Sequence, residues 1–276
     1  MNRRNLSLSM FALSFSSLPA IAQDSVQYRF EYIAEWSADT HPTTFPSNPH
    51  FSGAIGATHN DQLSIWIPGG IATDGIEAMA ETGSPTQLSS EVQHAIDVDG
   101  TANQFLNLGG INTSPGMRIN NFTANSAFPL LSIVSMVAPS PDWFVGIHDI
   151  NLRPGGVWVR ELVFDLYPYD AGTDAGINYV NANIDLTPHI PIVDITDDFP
   201  FLGQGRLGTF RITLLSDAAC SLADLAQPYE TLDFFDVSAF INAFNAQRPS
   251  ADLDKNGIFD FFDVSAFVNA YSAGCP

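Results

Sequence analysis

The octet Asp233-Phe-Phe-Asp-Val-Ser-Ala-Phe240 returns unchanged as Asp260-Phe-Phe-Asp-Val-Ser-Ala-Phe267, 27 residues further on. Chance does not duplicate eight consecutive residues, so the end of the chain is a tandem unit whose two copies fold alike. Each copy continues at helical spacing, with Val237, Phe240, Ile241 and Phe244 in the first and Val264, Phe267, Val268 and Tyr271 in the second. One such helix cannot bury its apolar stripe alone, whereas two can bury theirs against each other.

The residues before the second helix carry oxygen at a fixed rhythm. Counting from Asp252 as position 1, Asp254 is at 3, Asn256 at 5, Asp260 at 9 and Asp263 at 12, with Gly257 at position 6. Alternating oxygen ligands, a glycine at the sharp turn and a closing carboxylate satisfy a hard cation that takes six or seven oxygens, the Ile258 carbonyl completing the set. The cation expected is Ca²⁺. The competing reading is an acidic turn that caps the helix, which needs one carboxylate and not five spaced oxygens. The first copy is degenerate: from Asp224 the ligand positions hold Ala226 and Pro228, and the stretch to Asp236 is one residue longer. Asp224, Asp233 and Asp236 remain there as donors for a weak site.

The compartment follows from the other end of the chain. Arg3 and Arg4, an apolar run from Leu6 to Leu18 and Ala20-Ile21-Ala22 before Gln23 make a charged start, a short apolar stretch and a small-x-small cleavage pattern. These are the requirements of a secretory signal peptide over residues 1–22. Cleavage removes two arginines and no acid, taking the net charge from -20 to -22. So negative a chain repels phosphate backbones and anionic head groups, which excludes nucleic acid and membrane surfaces as partners and invites divalent cations. No later stretch is long and apolar enough to span a bilayer after signal cleavage. Cys220 and Cys275, the two cysteines, bracket the tandem unit without metal-site spacing, and in an oxidising compartment they read as one disulfide.

Between residues 23 and 215 the period changes from 3.6 to 2. Val26, Tyr28, Phe30 and Tyr32 alternate with polar residues, as do Leu63, Ile65 and Ile67 and then Phe210, Ile212 and Leu214; Trp158 to Leu166 and Phe144 to Ile147 read as further strands. Gln87 to Val98 and Gly75 to Glu81 read as helical insertions. The expected fold is mainly β, an antiparallel β-sandwich, followed by a linker over 216–219 and a small all-α tandem domain over 220–276. The sandwich carries no nucleophile elbow, zinc-protease helix, catalytic cysteine or phosphate loop, so no enzyme is expected. His41, His50 and His59 lie nine apart, which is no metal spacing. Glu81, Glu91 and Glu161 could form an acid pair or be solvated charges.

Two loops stand out. Pro139-Ser-Pro-Asp142-Trp143 fixes a carboxylate between proline turns and a large ring, and Tyr169-Asp170-Ala-Gly-Thr-Asp174 holds two carboxylates four apart across a glycine. If both loops share one end of the sandwich, Asp142, Asp170 and Asp174 give three oxygens to one ion; the alternative is Asx-turn hydrogen bonding without metal.

Two family resemblances rest on these motifs. A tandem loop-plus-helix unit over residues 220–276, with the repeated octet and a closing Gly274-Cys275, resembles a dockerin of the bacterial subtype that ends in Gly-Cys. The resemblance implies a calcium-dependent plug for a cohesin-like scaffold or cell-surface protein. It departs from cellulosomal members at Phe234-Phe235 and Phe261-Phe262, which stand where a small hydroxyl pair is usual and are candidate partner anchors. Residues 24–180 resemble the spondin N-terminal domain through Trp36-Ser37, His41-Pro42, His50-Phe51-Ser52, Gly69-Gly70-Ile71-Ala72, Ala80-Glu81, Ser135-Met136 and above all the two aspartate loops. That resemblance implies a secreted adhesive β-sandwich, not an enzyme, with an extracellular ligand and a divalent cation at Asp142, Asp170 and Asp174. Since dockerins also accompany polysaccharide-degrading enzymes, a hydrolase or accessory protein is the alternative; it needs two carboxyl groups about 5 to 9.5 Å apart across a cleft. A structural surface-layer subunit is a third class.

Overall fold

The structure is a computed structural model, and it describes residues 25–179, 184–215, 221–226, 232–254 and 256–275. The signal segment, the linker, Cys220 and therefore the expected Cys220–Cys275 pairing lie outside the described residues.

Strand β1 (Ser25–Ala34) shows why the first region becomes a sandwich. Its apolar residues sit two apart, so Val26, Tyr28, Phe30, Tyr32 and Ala34 all point to one side and are buried. The strands that follow are β2 (His50–Phe51), β3 (Ile55–His59), β4 (Ala102–Asn107), β5 (Gly116–Asn125), β6 (Leu130–Ala138), β7 (Trp143–Asn151), β8 (Glu161–Leu166), β9 (Tyr169–Asp170), β10 (Val193–Asp194) and β11 (Gly208–Leu215). They form a four-stranded sheet, β5-β1-β11-β8, and a larger one, β10-β9-β7-β6-β3-β4, with β2 added to β6. Every pairing is antiparallel. On the buried face of the four-stranded sheet, Tyr28 lies opposite Phe122 and stacks on it at 5.5 Å, and Tyr32 lies opposite Phe210 and meets it edge-on at 4.7 Å. Each ring so buried contributes about 1.5–3 kcal/mol.

The larger sheet is covered on its second face too. Helices α1 (Asp74–Thr82) and α2 (Thr86–His94) pack there. Ile76, Met79, Ala80, Leu88 and Val92 make a second core with Ile55, Val134, Met136 and Phe144. Strand β6 is accordingly buried from Leu131 to Ala138 on both faces. The helices expected as insertions are thus a third layer, because β6 and β3 would otherwise expose an apolar face. Gly75 lets the helices meet: a Cβ there would lie 2.7 Å from the Leu88 Cα. Glu91 closes the contact, accepting from the Gly75 amide at 2.7 Å and the Thr73 hydroxyl at 2.8 Å at the start of α1.

Two expected strands change. Leu63 to Ile67 alternates but forms no strand. It lies over the helix-side core, where Ile65 and Trp66 are buried and the Trp66 indole donates to the Ile147 carbonyl at 3.3 Å, so its alternation reflects packing and not pairing. The strand expected from Trp158 begins only at Glu161, since Val159 is bound to Leu152 and receives the Tyr28 hydroxyl on its carbonyl.

The repeated octets form α3 (Phe234–Asn245) and α4 (Phe261–Ala273). A separate core gathers Ala223, Phe240, Ala243, Ala251 and Phe267, with Phe240 and Phe267, equivalent residues of the two copies, stacked at 4.2 Å. Each octet begins with a capping box, Asp233 with Asp236 and Asp260 with Asp263. Among the described residues no helix is long and apolar enough to cross a membrane.

Candidate metal centre

The turn between β6 and β7 delivers Asp142, the end of β9 delivers Asp170 and the segment after it Asp174, at the same end of the larger sheet. Trp143 pairs with Asp170 across β7 and β9, and the Ala171 amide reaches the Asp142 carbonyl at 3.1 Å. Asp142 is fully buried. Its Oδ2 accepts from the Thr173 amide at 2.8 Å, the Thr173 hydroxyl at 3.2 Å and the Asp174 amide at 3.1 Å. Its Oδ1 is buried with no hydrogen-bond partner. A buried carboxylate oxygen left this way costs free energy unless a cation faces it.

Asp174 is also buried, with one oxygen on the Gly176 amide at 2.6 Å and the other on the Ile184 amide at 2.7 Å. Asp170 takes the Gly172 amide at 2.8 Å and the Trp143 indole at 3.3 Å. A fourth acid joins them from the other side: Glu81, in the last turn of α1, has a buried Oε1 without a partner. Its charge interacts with those of Asp142 and Asp174.

The crowding shows in the proton affinities. Burial, then the charge of Asp142, pushes Asp170 up to about 6. Burial raises Asp142 against the pull of the Thr173 and Asp174 amides. Burial also raises Glu81, helped by Glu77, Asp142 and Asp174. Among the described residues none of these acids pairs with an arginine, whose ion pairs lie instead at Glu35 and Asp165 for Arg206 and at Glu31 and Glu161 for Arg211. The residues present therefore fit a divalent cation: two orphaned buried oxygens, four carboxylates and no positive partner. No three of these four acids, Glu81 included, bring one oxygen each within 4.8 Å of one another, the reach met elsewhere among the described residues.

In the second octet's loop, Asp252, Asp254 and Asp263 do bring one oxygen each within 4.8 Å of the others. Gly257 turns at φ +79, and the loop folds inward on its own amides: Asp252 accepts from Gly257 at 3.0 Å, Asp254 from Asn256 at 3.1 Å and Asn256 from Ile258 at 2.6 Å. Asp260 is also the start of the helix. Its Oδ1 holds the Phe262 amide at 2.7 Å as the N-cap of α4 and stands outside the three-oxygen group. Asp263 is buried and kept below the usual carboxylate range by the amide of Asp260 and those of Asp254 and Leu253. Asp263 thus caps the helix through its amide contacts and also lies within reach of the Asp252 and Asp254 oxygens.

The first octet repeats the cap. Asp236 takes the Leu225 and Ala226 amides at 2.8 Å and the Asp233 amide at 2.9 Å, and Asp233 takes Phe235 at 2.7 Å. Asp224 is buried beside this core, and the stretch 227–231 lies outside the described residues. The phenylalanine pairs are exposed at both copies, 74% and 61% for Phe234 and Phe235 and 74% and 66% for Phe261 and Phe262, so none of the four is core.

The remaining candidates resolve simply. His41 and His59 are buried and bonded to the Gly205 carbonyl and the Ser132 hydroxyl. Glu91 caps a helix, Glu161 faces Arg211, and only Glu81 enters the acid cluster, which spacing could not show because α1 and the aspartate loops are about 60 to 90 residues apart.

Comparison with known proteins matches the Spondin_N family over residues 26–205. Spondin-1 of Gallus gallus is 33% identical over 192 residues, 65% of this chain and 23% of that protein. Spondin-1 of Homo sapiens is 32% identical over 191 residues, again 65% of this chain and 23% of that protein. Spondin-2 of Rattus norvegicus is 29% identical over 182 residues, 65% of this chain and 55% of that protein. The chain thus spans about a quarter to about half of these relatives.

Proposed function

The chain belongs to the Spondin_N family, and from that premise we propose that it is an exported, non-catalytic binding protein whose ligand-facing loops are organised by Ca²⁺. The observation that carries this reading is Asp142, fully buried, with one oxygen saturated by the Thr173 and Asp174 backbone and the other unpartnered, near Glu81, whose Oε1 is also buried without a partner. Asp142, Asp170, Asp174 and Glu81 would hold the ion. Its charge would neutralise loops that otherwise repel each other and leave a position for an acidic group of an extracellular ligand. The chain's own contribution is rigidity: Thr173 and Gly176 fix the carboxylates through amides, and the Trp143 indole fixes Asp170. The hydrolase alternative finds less support, since Asp142 and Asp174 are buried against backbone amides and not presented across an open cleft.

The same proposal assigns the tandem unit a tethering role. A second Ca²⁺ at Asp252, Asp254 and Asp263, with Asn256 and the Ile258 carbonyl, would order a dockerin-like plug. Phe234, Phe235, Phe261 and Phe262 would anchor it on a cohesin-like scaffold or cell-surface protein. The two exposed pairs have the same internal geometry, rings 6.3 Å apart at 66°, which supports a common use.

Calorimetric titration of the secreted chain with Ca²⁺ tests both assignments. Two ions per chain are expected, falling to one in Asp142→Asn and to one in Asp252→Asn/Asp254→Asn. A stoichiometry unmoved by Asp142→Asn overturns the sandwich site, and an N-terminus other than near Gln23 on the exported chain overturns the processing.

A further inference from the structure

Beside the carboxylate cluster lies a second group of donors of different chemistry. Glu77, in the middle of α1, stands against Asp185 and His189, 108 and 112 residues further along, and one donor atom of each lies within 4.8 Å of the others. The His189 Nε2 is 3.9 Å from a Glu77 oxygen. We propose that Glu77, Asp185 and His189 form a separate site for a borderline divalent metal such as Zn²⁺, independent of the Ca²⁺ reading above.

Donor type carries the first half of the argument. Ca²⁺ takes oxygen, whereas an imidazole nitrogen with two carboxylates suits zinc and its neighbours, with the remaining positions left to water or a ligand group. The three side chains are partly to fully exposed, so an ion can enter from solvent. Contact at zinc distances needs the donors about 3.3 Å apart, a closure of roughly an ångström that half-exposed rotamers make without backbone movement.

Placement carries the second half. The segment bearing Asp185 and His189 is stitched down along its length: Ala175 to Ile184 at 2.9 Å, Leu186 to Thr173 at 2.7 Å, Ile190 to Gly172 at 2.9 Å and Ile192 to Gly70 at 2.7 Å. Asp185 pairs with Asp174 in a β-bridge, and Thr187 donates to the Asp185 Oδ2 at 2.9 Å, orienting the carboxylate. Glu77 is equally fixed, because Ile76, Met79 and Ala80 around it on α1 are buried. Two rigid elements remote in sequence thus present a nitrogen and two oxygens to one point. Among the described residues no arginine pairs with either carboxylate, so the local field favours a cation over a simple histidine–glutamate pair.

The test is Zn²⁺ titration of the intact mature chain in excess Ca²⁺, read by competition with a chromophoric chelator. One Zn²⁺ per chain is expected, with His189→Ala and Glu77→Gln each weakening it at least about tenfold. His94→Ala removes an exposed imidazole that lies 3.9 Å from Asp99 and leaves the affinity unchanged. Co²⁺ in place of Zn²⁺ gives a visible absorption band that His189→Ala removes. No uptake in excess Ca²⁺, or an isotherm indifferent to both substitutions, overturns the site. Melting curves in chelator show which variants fold, and Asp185→Asn gives the same reading if His189→Ala does not.

Discussion

Thr173 donates its backbone amide and its hydroxyl to a single oxygen of Asp142, at 2.8 and 3.2 Å, while the other oxygen of that carboxylate is buried with no partner. The loop therefore orients Asp142 without saturating it. An Asx turn alone would leave the side chain near solvent, where water completes its bonding.

Asp142→Asn is the sharpest test of that arrangement. With Ca²⁺ at a hundred times its dissociation constant, binding adds about 2.7 kcal/mol to the stability of the wild type, and the variant forfeits it. In chelator the order is expected to reverse, because the amide removes a buried charge from a crowded cluster. Thermal melts of both proteins with and without chelator check this.

The pH response has opposite signs with and without the ion. Asp170 is raised to about 6, and Asp142 and Glu81 are raised as well, so in the range between the ordinary carboxylate values and about 6 the folded chain binds more protons than the unfolded one. Stability of the metal-free protein therefore falls as pH rises through that window. Ca²⁺ affinity falls as pH drops through about 6, because protonation of Asp170 competes with the ion. Chelator melts and calcium titrations from pH 4 to about 7.5 measure the two trends.

Asp236→Ala and Asp263→Ala separate capping from metal binding in the tandem unit. Each removes a capping-box carboxylate and is expected to cost about 1–2 kcal/mol. Asp263→Ala alone is expected to abolish the tandem unit's calcium response, since among the described residues Asp263 and not Asp236 belongs to a three-oxygen group. Calcium titration beside melting of each variant distinguishes the effects.

The octet's phenylalanines divide by position into two classes, and the two copies divide alike. Phe234→Ser and Phe261→Ser are expected to leave stability within about 0.5 kcal/mol, both rings being 74% exposed. Phe240→Ala and Phe267→Ala are expected to cost about 3–5 kcal/mol, because those rings are buried and stacked on each other. Denaturant melts rank the four, and loss of calcium-dependent docking in the first pair without loss of fold supports their anchoring role.

Periodicity alone specified the strand faces of β1 and β11 and the helices of the repeat, because a buried face imprints its own spacing on the chain: Tyr28, Phe30 and Tyr32 two apart, Phe240 and Phe244 four apart. Glycine and aspartate spacing marked both acid loops for the same local reason. Only the tertiary structure decided that α1 and α2 form a layer on the larger sheet, that Leu63 to Ile67 pairs with nothing, and that Glu81 joins Asp142 while Glu77 meets His189. Those relations connect residues about 60 to more than 100 positions apart, and no local pattern encodes them. They arise when a sheet buried on both faces brings a helix end over the turns at its edge, where carboxylates far apart in sequence meet only through folding.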